Sequence, residues 1–160
     1  MTQSDRISAP NASACSLVAK AVRKAGSVRL RVSGTSMVPA MRPGDLVTIE
    51  RATANEIAPG EIVAFARSGR LVAHRVTGIV TSKATNGDSR EPLLETRGDR
   101  ARRIDPMVSS SELLGRVTQI ERGSRRMHPS ARLTAKEQLI SRMLRVSDRA
   151  TYLFLRISAL

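Results

Sequence analysis

The stretch EIVAFARSGRLVAHRVTGIV, Glu61–Val80, decides the fold class. Two apolar runs, EIVAFA and RLVAHRVTGIV, are broken by Arg67-Ser68-Gly69-Arg70. Short apolar runs bounded by turn residues read as strands. The same grammar extends in both directions. SVRLRV (27–32) alternates, DLVTIE (45–50) is a brief apolar run, and SELLGRVTQIERG (111–123) reads as a closing strand. RPGD (42–45), APGE (58–61) and TNGD (85–88) carry the Gly, Pro and Asn of turns. The pattern predicts a mainly β fold, a twisted and partly closed β-architecture. No internal repeat interrupts it.

The flanks read differently. Residues 1–13 are polar and expected to be disordered, and 14–25 form a short helix with Leu17, Val18, Ala21 and Val22 on one face. After the turn-like GSRRMHPS (123–130) the period changes to a helix from Thr134 to about Ser158. Its apolar positions, Leu139, Ile140, Met143, Leu144, Val146, Ala150, Leu153, Phe154 and Ile157, recur at steps of three and four. Lys136, Arg142, Arg145, Arg149 and Arg156 occupy much of the rest. Such a helix packs on its own domain or a partner, or lies on a membrane surface. The expected organisation is 1–26 as an N-terminal segment, 27–123 as the principal domain, and 124–160 as a basic connector with an amphipathic helix.

A chain of 160 residues with a formal charge of +13 favours an anionic partner, nucleic acid or phospholipid, unless the charge is only an arginine-rich bias. Two Phe, one Tyr and no Trp leave little for base stacking, which makes nucleic acid an unlikely partner class. The single cysteine, Cys15, excludes an intrachain disulfide framework and any multi-cysteine zinc site. No segment reaches the ~18–20 uninterrupted apolar residues of a membrane span. The N-terminus lacks the basic-then-apolar order of a secretory signal. The expected location is cytoplasmic or peripheral to a membrane.

Chemistry centres on VSGTSMVPAMRPGD, Val32–Asp45. Ser36 is either a turn hydroxyl or a nucleophile, and a nucleophile needs a base and oxyanion donors. Gly34 and Thr35 shape a turn that brings backbone N–H groups close, and Pro39 can open a short helix. The motif is not Gly-x-Ser-x-Gly, so no α/β-hydrolase elbow is indicated. Only two histidines are available: His74 in the strand-like VAHRVTGI, and His128 in the polar connector. The charge-rich ETRGDRARRID (95–105) offers Asp99 and Asp105.

These pieces, in this order, resemble the type I signal peptidase family of serine peptidases. SGTSMVPAMRPGD matches the nucleophile box, IAPGEIVAFA the next turn and strand, and VAHRVTGI the base, followed by ETRGDRARRID and LLGRV. The resemblance runs from about Val32 to Gly123 and implies the antiparallel β-architecture of the signal peptidase and LexA-type peptidases. A lysine stands at the base position in the bacterial housekeeping branch and in LexA-type self-cleaving repressors. His74 there resembles the Ser-His-Asp branch of the endoplasmic reticulum, archaea and spore-formers. The resemblance implies Ser36 as nucleophile and His74 as general base and then acid. Asp105 is favoured as orienter and Asp99 as a supporting residue. Ser33, Gly34, Thr35 and Met37 would form the oxyanion and substrate turn. It implies a peptide or preprotein substrate bound as an extended strand, and no metal or organic cofactor.

Two departures stand out. SACSLVAKAVRKAGSVRLRV (13–32) cannot be the transmembrane helix that usually precedes the serine box, and GDRARR replaces the family's Gly-Asp-Asn-Asn loop with a cationic rim. The alternatives are a self-cleaving regulator, a catalytically idle partner-binding relative and a basic nucleic-acid-binding module. The segment before Ser27 is too short for the helical DNA-binding domain that self-cleaving repressors usually carry.

Overall fold

The computed structural model describes residues 12–83, 90–145 and 147–157. The expected turn at 85–88 and the polar residues 1–11 lie outside them. The described residues fold into α1 (Ala12–Ala25), seven strands, a 3-10 turn at Ala54–Glu56 and two C-terminal helices. The strands are β1 (Ser27–Arg31), β2 (Leu46–Arg51), β3 (Ile62–Arg67), β4 (Arg70–Lys83), β5 (Arg90–Arg97), β6 (Leu113–Arg122) and β7 (Arg125–Met127). All pairings are antiparallel, in the order β1-β2-β6-β3-β4-β5, with β7 also on β6. The fold is mainly β, as the strand-and-turn pattern predicts. No pairing joins the outer strands β1 and β5, so the sheet stays open.

β3 explains the uninterrupted run IVAF. Its alternate residues serve two cores: Ile62 and Ala64 join a cluster with Leu71, Ala73, Val47 and Ile49, while Val63 and Phe65 join Val76, Leu94 and Val108. A strand covered on both sides has no polar face to show. Each fully buried side chain of the size of Phe65, Ile62 or Leu71 contributes roughly 1.5–3 kcal/mol.

Three expectations need correction. α1 buries Cys15, Ala19 and Val22 with Val18 partly covered, while Leu17 is 66% exposed. The small Cys15 and Ala19 let the helix approach the sheet closely, which a stripe drawn through Leu17 and Ala21 overlooks. Burial also raises the Cys15 thiol pKa, in keeping with its role as filler. Secondly, β5 and β7 are strands where a charged loop and a connector were expected. β5 is an edge strand, and that position tolerates its Pro92. β7 folds back through Gly123, whose φ of +59° suits a tight hairpin turn.

Thirdly, the C-terminal helix is two helices, α2 (Ala135–Leu144) and α3 (Asp148–Ile157). Thr134 and Glu137 form a capping box that starts α2. The break follows from tertiary bonding, since the Leu144 carbonyl accepts from the Arg100 guanidinium and the Thr151 hydroxyl. Ser147 then caps α3, its hydroxyl accepting from the Ala150 N–H. Among the described residues no helix is long and apolar enough to cross a membrane.

Candidate active site

The segment between β1 and β2 is pinned before it presents Ser36. Val32 N–H donates to the Asp45 carbonyl at 2.8 Å, and Gly44 N–H donates to the Val32 carbonyl at 2.8 Å, closing the base of the loop. Asp45, 3% exposed, accepts from Arg42 N–H and from both Nε and Nη2 of Arg122. Met37, Val38 and Met41 plug the loop into the core. That anchoring accounts for the Met-x-Pro and Gly-Asp around the serine. Pro39 does not open a helix: it follows a cis Val38–Pro39 bond inside a turn.

The loop brings Ser36 to the middle of β4. Ser36 Oγ lies 3.0 Å from His74 Nε2, and His74 Nδ1 lies 2.5 Å from Asp105 Oδ2. Ser36 and His74 are buried. An ionised carboxylate only accepts, so the Nδ1 proton faces Asp105 and leaves Nε2 to accept from the serine hydroxyl. The imidazole meets Phe65 edge-on, with ring centroids 6.2 Å apart. This apolar contact limits the ring's rotation.

Asp105 is itself held. Its Oδ2 also accepts from the Thr96 hydroxyl at 2.9 Å, and its N–H donates to the Thr96 carbonyl. Arg67 grips the residues that follow, donating to the carbonyls of Pro106 and Met107 and to both oxygens of Glu112. The Arg67 hydrogen bond is the main reason that the Glu112 carboxyl is lowered to about 2. Asp99 goes elsewhere: Arg75 Nε and Nη2 take its two oxygens at 2.8 and 2.9 Å.

Four contributors carried no signal of their own in the reading of the sequence. Thr96 is one and Arg67 another. Gly98 is the third. A Cβ there would stand 2.9 Å from the Ser36 Cβ and 3.1 Å from His74 Nε2, so any side chain would push the pair apart. Arg100 is the fourth. Its N–H donates to the Ser36 carbonyl at 2.7 Å, and its guanidinium bonds the Thr35 hydroxyl, the Leu144 carbonyl and the Thr151 hydroxyl. One residue thereby ties the serine loop to both C-terminal helices. Only Gly98 stood in a recognisable Gly-Asp context.

The remaining expected positions divide. Ser33, Gly34 and Thr35 lead into the serine turn, and Met37 contributes backbone only, because its side chain is in the core. The Ser36 N–H donates to no group among the described residues. His128 stands apart, its Nδ1 bonded to the Thr118 carbonyl. Among the described residues no group of three or more His, Cys, Asp or Glu is placed to hold a metal ion. The arrangement can move a proton from a hydroxyl to an imidazole backed by a carboxylate.

A family model described as Peptidase S24-like matches residues 4–85. That span holds Ser36 and His74 and stops before both aspartates. No curated protein and no solved structure matches the chain.

Proposed function

Because the chain belongs to the Peptidase S24-like family, we propose that it is a serine endopeptidase using Ser36, His74 and Asp105, of the kind found in Ser-His-Asp signal peptidases. The observation that carries this reading is the continuous bonding from Ser36 Oγ through the imidazole to Asp105. His74 Nε2 takes the hydroxyl proton as Ser36 Oγ attacks a peptide carbonyl, and Asp105 stabilises the imidazolium. The Ser36 N–H supplies one donor to the oxyanion. The imidazolium passes its proton to the departing amine, which leaves an acyl ester on Ser36. A water then gives a proton to Nε2 and attacks that ester, and the returning proton frees the serine. A histidine suits this cycle because its unperturbed pKa lies near neutrality. Asp99, fully engaged by Arg75, has a structural role.

The test is acylation by a serine-reactive probe and cleavage of an extended peptide with small side chains at the scissile bond. Ser36→Ala and His74→Ala are each expected to lose activity by roughly 10⁴-fold or more with the fold intact. Undiminished cleavage by the Ser36→Ala protein refutes the assignment. Cleavage of the chain itself at a concentration-independent rate, with no turnover of peptide, favours a self-cleaving regulator instead.

A specific observation bears on where the enzyme works. α2 and α3 bury Ser141 and Thr151, while Leu139, Met143, Tyr152, Leu153 and Ile157 are each at least 60% exposed. Leu144 is buried beside these hydroxyls and Ile140, Phe154 and Leu155 are half-buried, yet the five large apolar groups stay exposed, with Arg149 and Arg156 exposed on α3. This exposed apolar face with its basic neighbours fits reversible attachment to an anionic lipid surface. Co-sedimentation with anionic vesicles is expected for the native chain and several-fold weaker for a Leu139→Asp, Leu153→Asp double variant. Equal binding by the two removes the helices from this role.

A further inference from the structure

On the Arg75 side of β4 and β5, roofed by α2, lies a cavity of about 480 Å³. Arg75, Arg97, Arg132, Arg142 and Arg145 line it, with Asp99 as the one acid among its lining residues. Asp99 gives both carboxylate oxygens to Arg75. Four guanidinium groups therefore border one cavity without a carboxylate of their own. Arg97, Arg132 and Arg142 make no ion pair among the described residues.

Arg145 shows the strain of this arrangement. Its Nη2 donates to the Asp99 carbonyl at 3.0 Å, but its Nε is buried with no hydrogen-bond partner among the described residues. Its pKa is lowered, first by burial and then by Arg97 and Arg142. A buried donor left unsatisfied is destabilising, more so when charged. Like charges gathered around polar space are stabilised by an anion that takes several of their N–H groups at once.

We propose that this cavity is a binding site for a phosphate group, held by Arg97 from β5, Arg142 from α2 and Arg145 at the C-terminal end of α2. A single carboxylate would leave most of the positive charge unmatched, whereas a phosphate monoester brings up to two negative charges and three terminal oxygens. Guanidinium forks fit those oxygens in pairs. The volume exceeds that of bare phosphate and falls within the usual range for small-molecule sites, about 300–1,000 Å³. The occupant would bridge sheet and helix. From α2 and its C-terminal end, Ser141 Oγ and Arg145 Nη2 both donate to the one Asp99 carbonyl, and the Leu144 carbonyl accepts from Arg100. The site is independent of the peptidase reading, since Ser36 and His74 do not line it.

The experiment measures binding of inorganic phosphate to the full chain by calorimetry at constant ionic strength, with chloride as the reference anion. A parallel arm uses phosphatidic acid vesicles against phosphatidylcholine vesicles. Arg97→Gln and Arg142→Gln remove guanidiniums that bond no described residue, so folding should survive. Arg70→Gln at the β3–β4 turn is the control for bulk charge. Saturable phosphate binding, weakened about tenfold or more by each cavity variant and unchanged by Arg70→Gln, supports the site with a soluble ligand. The same variant pattern with phosphatidic acid alone supports it with a lipid headgroup as the source. Binding in neither arm, or binding that all three variants weaken equally, overturns it.

Discussion

His74 and Arg75 are neighbours in β4, and the strand pleat sends them to opposite faces. Each meets an aspartate from the same segment, Asp105 on one side and Asp99 on the other. The two pairs look alike on paper and differ in chemistry. Arg75 takes both Asp99 oxygens, so the carboxylate is committed to a two-pronged ion pair and offers nothing to a neighbouring hydroxyl. His74 uses one nitrogen for Asp105 and keeps the other for Ser36. A carboxylate beside a guanidinium is a fastener; beside an imidazole it leaves a base available.

The sharpest way to break this comparison is to neutralise each aspartate in turn. Asp105→Asn is expected to lower kcat by about 10³–10⁴-fold with little loss of stability, because the amide favours the wrong imidazole tautomer. Asp99→Asn should do the reverse. Removing one partner of a buried ion pair destabilises by about 3–5 kcal/mol, while folded protein keeps most of its kcat. Denaturant titration beside single-turnover kinetics checks both. Equal stability losses in the two variants, or a larger kcat loss in Asp99→Asn, would collapse the distinction.

A smaller effect tests how the Asp105 side is held in place. The Glu112 carboxyl is lowered to about 2, mainly by the Arg67 hydrogen bond. A depressed carboxylate contributes stability that is complete above its ordinary value of 4.5 and is lost as pH falls from there toward about 2. The pair is partly exposed, so solvent screening leaves a contribution of about 1 kcal/mol. Denaturant midpoints measured from pH 5 down to pH 2 should fall less steeply for Glu112→Gln than for the native chain. Identical slopes would show that this clamp does not hold the loop.

Legibility in the sequence tracked how local each signal was. The strands β1, β2, β3, β4 and β6 could be read because each is a short run that turn residues interrupt. β5 could not, because its buried alternate positions, Leu94 and Thr96, pair one apolar with one polar residue among Arg, Glu and Pro, so no apolar alternation shows in the sequence. The helix break at Leu144 was hidden for another reason: it depends on Arg100 and Thr151, residues that periodicity does not connect to it.

By itself the sequence determined the mainly β class and the apolar residues of the C-terminal segment, which follow from spacing within one stretch, and it offered Ser36 and His74 as candidates through an ordered set of boxes that resembles the signal peptidase family. Only the tertiary structure decided which aspartate faces His74, which faces Arg75, and that five arginines from three separate segments border one cavity. Those are distances between parts of the chain far apart in sequence, and they are set by strand pleat, register and loop anchoring.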